Sequence, residues 1–250
     1  EENTSQANLS IVKTTRELIE RYETKYPSIN IYYSGRVMNN NAFRDASLYD
    51  MTHLVPAAFV IAMICISLYL FAASGSIITV ISGTFATLLV IIAAILTAQG
   101  IAAWLGIAIT TPSANAPTMI LTLAIADSIH ILATFFQQMR SGMVKLDAMK
   151  ESLRLNRQPV FLTSLTTMIG FLTMNFSDSP PFKDLGNVVA IGVVGAWLFS
   201  VLLLPVLMLL LPVRVKIQKE NNTQQKNRLA EFVIHRRTPL LIFTSLFILV

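Results

Sequence analysis

The chain of 250 residues contains one cysteine, three histidines, two tryptophans and only 13% charged residues, and each shortage removes a class of function. Cys65 has no second thiol to pair with, so neither a disulfide framework nor a cysteine metal site is available. No H-E-x-x-H, no G-x-x-x-x-G-K-[ST] and no G-x-S-x-G string occurs, which takes away the zinc-protease helix, the phosphate-gripping loop and the nucleophile turn. An aspartyl protease working within a membrane needs two buried carboxylates, and only one membrane Asp is present here. The expectation is a protein that is not an enzyme and uses no cofactor. Charge is also unevenly spread. An ordinary globular domain carries about 25% charged residues, whereas the 89 residues between Asp50 and Arg140 hold a single formal charge, Asp127.

Apolar residues take the place of the missing charge. They make up 54% of the chain, with a mean hydropathy of +0.60, and they are blocked into runs at 54–73, 77–98, 117–137, 159–176 and 187–212. At roughly 1.5 Å per helical residue each run crosses, or nearly crosses, a hydrocarbon layer of about 30 Å. Residues 51–212 are therefore expected to form a five-helix transmembrane core. Residues 213–238 follow as a linker, and 239–250 as the start of a further helix, so the chain reads as a piece of a larger multi-pass protein.

Lys and Arg set an orientation. The loop 138–158 holds Arg140, Lys145, Lys150, Arg154 and Arg157, and 213–238 holds Arg214, Lys216, Lys219, Lys226, Arg228, Arg236 and Arg237. The opposite loops contribute only Lys183, so the positive-inside rule puts the basic loops in the cytoplasm and residues 1–50 outside. These loops account for the net charge of +5, and no nucleic-acid partner is needed. Within the first basic loop, Met143, Leu146, Met149 and Leu153 against Lys145, Lys150, Glu151 and Arg154 read as an amphipathic helix on the inner leaflet.

The outer segment is soluble in character. Ile11, Leu18, Ile19 and Tyr22 recur at helical spacing before Pro27, Ile29, Ile31 and Tyr33 alternate as a strand, and Val37 onward returns to a helix leading into the first span. About fifty residues cannot bury a sizeable core alone, so this part reads as the end of a mixed α/β domain.

Asp127 sits near the middle of the third run, with about ten residues, or about 15 Å, to either face of the hydrocarbon. A charged Asp at that depth costs about 2.5 to 3.5 kcal/mol on insertion scales, and chains that keep one use it to move protons or ions or to pair within the bundle. His130 and Thr134 follow at i+3 and i+7 on the same helix, and His titrates nearest neutral pH. Ser128 points elsewhere and reads as an interhelical hydrogen bonder. On the next span Thr163, Thr167 and Gly170 form a stripe of small and hydroxylated residues, suited to close packing or to lining a hydrated path beside Asp127. Gly186, Gly192 and Gly195 on the last span read as close-packing points, and Pro205 as a kink.

Several strings in order resemble one superfamily. Leu123-Ala-Ile-Ala-Asp-Ser-Ile-His-Ile131, then an amphipathic helix, then Thr163-Ser-Leu-Thr-Thr-Met-Ile-Gly-Phe171, then Leu204-Pro205 is similar to the resistance-nodulation-division (RND) transporters, nearest their MMPL-type and hydrophobe-exporter branches with a sterol-sensing-domain-like core. The resemblance covers nearly the whole chain. It implies that the five spans are the second to sixth helices of a twelve-helix protein of a bacterial inner membrane, with residues 1–50 ending its first porter domain and Pro239 opening the second repeat. Relatives often carry two adjacent acids where this chain has Ala126 and Asp127, so Asp127 alone is left to carry a proton in this half. Two functions fit. One is a proton-driven exporter of a hydrophobic or amphiphilic, lipid-like molecule, with the proton as coupling ion, the second repeat as partner and a homo-oligomer possible. The other is a sterol-sensing-like lipid receptor or scaffold with no proton cycle.

Overall fold

The computed structural model describes residues 2–108, 110, 112–216, 234–239 and 241. The chain divides into two units, 1–216 and 217–250. In the second, the described residues carry helical turns; most of the linker and of the sixth run lies outside the described residues.

The first unit is a succession of helices. Outside the bundle lie α1 (Glu2–Lys25) and α2 (Arg36–Tyr49). A π-helical turn, Asp50–Leu54, carries α2 directly into α3 (Val55–Ser74), so that Arg36–Ser74 is a continuous helix of 39 residues. Then come α4 (Ile77–Trp104), α5 (Ala116–Arg140), α6 (Lys145–Leu172) and α7 (Pro180–Leu210). Among the described residues five helices, counting Arg36–Ser74 as one, are long and apolar enough to cross a membrane. Prolines open α5 and α7 in their first turns, where a missing N–H removes no helical bond, whereas Pro56 of α3 follows the π-helical turn inside the continuous helix. Gly75, at φ +64, ends α3 in the left-handed conformation that closes a helix, and α4 begins two residues later.

Two expectations need correction. Residues 29–33 form no strand, and there is no strand among the described residues. Ile31 instead donates its N–H to Glu23 Oε1 on α1 at 3.1 Å; alternation alone cannot make a strand without a neighbouring strand to bond, and the α/β character of this segment is not seen. The amphipathic helix and the fourth span are likewise not separate. They are a single helix, α6, running through Pro159, and the loop before it shrinks to residues 141–144. Its buried side is Ala148, Met149 and Ser152, while Leu146 stays exposed, because this part of α6 packs across the bundle.

α7 is the central helix, in contact with α4, α5 and α6. Small residues let it approach closely: Gly192 lies against Ile120 and Ala98, and Gly186 against the Phe171 carbonyl, so that a Cβ at either would collide. The interior divides into two apolar cores. One contains Ala94, Ala98, Ile120, Ala124, Val189 and Ala196; the other contains Ile66, Leu70, Ile131, Phe135, Leu204 and Met208. Along α5 the first stops at Ala124 and the second starts at Ile131. Along α7 the gap runs from Ala196 to Leu204.

Candidate functional site

Those gaps are filled by polar side chains. Asp127 and Ser128 on α5, Ser164 on α6 and Ser200 on α7 are all buried, Asp127 being 6% exposed. Ser164 Oγ donates to Asp127 Oδ2 at 3.1 Å, and the hydroxyls of Ser128 and Ser200 lie 3.5 Å apart. The arrangement is a thin polar layer between two apolar ones, held by three helices. Among the described residues Asp127 forms no ion pair. An ionised carboxylate has about four acceptor sites, so the Ser164 bond leaves most of its capacity open to water, to a proton or to a group from another part of the protein.

The structure places the other sequence-derived residues unevenly around this layer. Ser128 crosses to α7, as its position on the helix suggests. His130 is exposed on the bundle surface, and no hydrogen bond joins it to Asp127. Its carbonyl accepts from Thr134 Oγ1 at 3.3 Å, and Thr134 in turn accepts from Asn156 Nδ2 at 2.7 Å. Thr163 is exposed and donates to its own helix, to the carbonyl of Val160 at 2.9 Å. Thr167 is half-buried one turn beyond Ser164. Gly170 is exposed, with nothing within 4 Å of where a Cβ would sit, so it packs against nothing in this bundle.

Ser164, Ser200, Ser152 and Asn156 carry no distinguishing sequence signal. Ser164 is one of four hydroxyl residues, with Thr163, Thr166 and Thr167, within five positions of α6, and a rotation of about 100° per residue decides which of them faces α5. Ser152, fully buried, donates to the Ile131 carbonyl at 2.6 Å and ties the first half of α6 to α5 just below the polar layer. No group of three metal-ligating side chains occurs among the described residues.

The fold and this site define a polytopic α-helical membrane protein with a buried carboxylate in the middle of its bundle. The chain belongs to the MMPL family, a branch of the RND superfamily, matching it over residues 1–242. It is also 28% identical over 123 residues to MJ1562, described as a membrane protein, of Methanocaldococcus jannaschii. That match covers 49% of this chain and 32% of the relative, so the alignment spans about a third of the relative's length.

Proposed function

We propose that this chain is part of a proton-driven exporter of a hydrophobic or amphiphilic, lipid-like molecule, and that Asp127 carries the proton. The observation behind this is a buried carboxylate, set between two apolar cores, with one hydroxyl donor and no cation among the described residues. Taking up a proton cancels the one formal charge that the described residues bring to that layer and adds a donor to a group that otherwise only accepts. Its remaining carbonyl oxygen can still accept from Ser164, but the new O–H needs an acceptor of its own, and the packing of α5 against its neighbours adjusts to supply one. Burial in a medium of low dielectric makes such a change of charge large in energy, large enough to reposition helices. The 39-residue helix Arg36–Ser74 is a rigid route by which movement reaches residues 1–50.

In this reading residues 1–50 are extracytoplasmic, the ends of α3, α5 and α7 are cytoplasmic, and the protein sits in the inner membrane. His130 hands protons to or from the route past Thr134, and the open side of Asp127 meets the second repeat. The lipid-receptor alternative assigns no task to the carboxylate.

The test is carbodiimide labelling of Asp127 in the full-length protein in lipid, read by mass spectrometry as a function of pH. A carboxyl that takes up and releases a proton in each cycle exists in both forms over the working range, so labelling, which requires the protonated form, is expected to fall as pH rises. Labelling that stays constant at an accessible site would sink the proposal and favour the receptor.

A further inference from the structure

Immediately after α7 the chain runs extended over residues 211–216 and is bonded to the ends of two other helices. Ser82 Oγ on α4 donates to the Pro212 carbonyl at 2.8 Å. Thr79 Oγ1 donates to the Arg214 carbonyl at 2.5 Å and accepts the Arg214 N–H at 2.8 Å, so that one hydroxyl does for this residue what a neighbouring strand would. The Lys216 N–H reaches the Ser74 carbonyl at the end of α3 at 3.3 Å. Leu211, Val213 and Val215 pack on the inner core, and Arg214 and Lys216 alternate with them and are exposed. This is the period of two of an extended segment with one apolar face.

Of the cations on this face, four on α5 and α6 are already bonded, while Arg157, further along α6, is exposed without an ion pair among the described residues. Arg140 Nη2 is bonded to the Ala72 carbonyl at 2.9 Å, and Lys145 Nζ to the carbonyls of Leu209 and Leu211 at 2.9 and 2.6 Å. Lys150 pairs with Asp147 at 3.6 Å and Arg154 with Glu151 at 2.6 Å. Arg214 and Lys216 have no ion pair among the described residues, and the stem of Lys216 lies over the Gly75 turn. The strap therefore holds two unpaired cations level with the ends of α3 and α4, where a membrane-spanning bundle meets the headgroups.

We propose that residues 211–216 form a binding site for an anionic phospholipid, with Arg214 and Lys216 on its phosphate. The inference requires only that the bundle be embedded in a bilayer. A basic residue near an anionic surface contributes roughly a fivefold gain in affinity, so neutralising both is expected to weaken binding about 25-fold.

The experiment titrates dioleoylphosphatidylglycerol against the full-length protein in phosphatidylcholine nanodiscs and counts bound lipid by native mass spectrometry. R214Q/K216Q is expected to show the loss, whereas K150Q/R154Q, with the same change of charge, changes affinity less than about twofold. T79V keeps both cations but frees the strap, and is expected to lose most of the preference for phosphatidylglycerol over phosphatidylcholine while circular dichroism shows its helices intact. On the unmodified protein a photoreactive phosphatidylglycerol is expected to label residues 211–216. Equal loss in both double variants, labelling spread evenly over other basic segments, or full competition by millimolar inorganic phosphate would overturn the proposal, the last in favour of a soluble anion.

Discussion

At Asp127 a single hydrogen bond, from Ser164 at 3.1 Å, separates two kinds of substitution. Asp127→Asn keeps the shape and can still accept from Ser164 but has no charge to gain or lose, so it is expected to leave the protein folded and in the membrane while abolishing gradient-driven efflux by the full-length protein in liposomes. Ser164→Ala removes the donor and leaves the backbone in place. Hydrogen bonds between membrane helices are worth about 0.6 to 2 kcal/mol, so a modest stability loss of that size is expected, together with an altered pH dependence of Asp127 labelling. An unchanged labelling profile in Ser164→Ala would remove Ser164 from the mechanism. His130 gives a sharper discrimination. Because it stands on the bundle surface without a bond to Asp127, His130→Gln is expected to slow transport without changing the Asp127 labelling profile.

At the scale of helices, the glycines separate contact from mere sequence pattern. Gly186 meets the backbone carbonyl of Phe171 on a neighbouring helix, and backbone cannot turn aside as a side-chain tip can. Gly186→Ala is expected to destabilise the bundle by about 1 to 3 kcal/mol, the usual cost of overpacking. Gly170→Ala, facing open space, is expected to stay within about 0.5 kcal/mol in the isolated first unit. Thermal unfolding in detergent compares the two directly, and equal losses would refute the packing described for α6 and α7. The π-helical turn Asp50–Leu54 is the other element with a specific consequence. Its extra residue sets the rotation of α2 relative to α3, and Tyr49 and His53 stack across it at 4.5 Å. Single-turn π-helical features often mark functional sites. Deleting Met51 is expected to rotate the outer segment and reduce efflux while leaving Asp127 labelling intact; labelling that changes with it would show that the deletion disturbs the bundle itself.

For the whole molecule, the proposal is that energy enters at the polar layer and is used in residues outside the bundle. Full-length protein in liposomes is then expected to drive efflux from a proton gradient alone and to stop when a protonophore collapses it. Efflux that persists without a gradient would assign the energy to another source. The five spans shown here contain an outward surface rich in exposed Leu, Ile and Phe, including Leu68, Ile81, Leu96 and Leu202, as a lipid-facing protein requires.

Much of this architecture was legible in the chain itself because lipid makes it local. A backbone in hydrocarbon must satisfy its own N–H and C=O groups, so an apolar run of sufficient length is a helix whatever surrounds it. Hydropathy and charge counting therefore pointed to the long apolar helices and to Asp127 near the middle of one of them. What depended on distant neighbours was not legible. The alternation of Ile29, Ile31 and Tyr33 has the strand period, yet among the described residues no second strand meets it. Thr163, Ser164 and Thr167 are chemically similar hydroxyls on one helix, and only the rotation of α6 against α5 selected Ser164 for Asp127. Residues 211–212 read as the end of the fifth span and 213–216 as linker, because the extended form of this segment is held by hydroxyls more than a hundred positions earlier. Composition and hydropathy, which each residue carries by itself, determined the membrane fold and its buried acid; helix rotation and contacts far apart in sequence, which exist only once the bundle is packed, decided which groups that acid and the exit strap would meet.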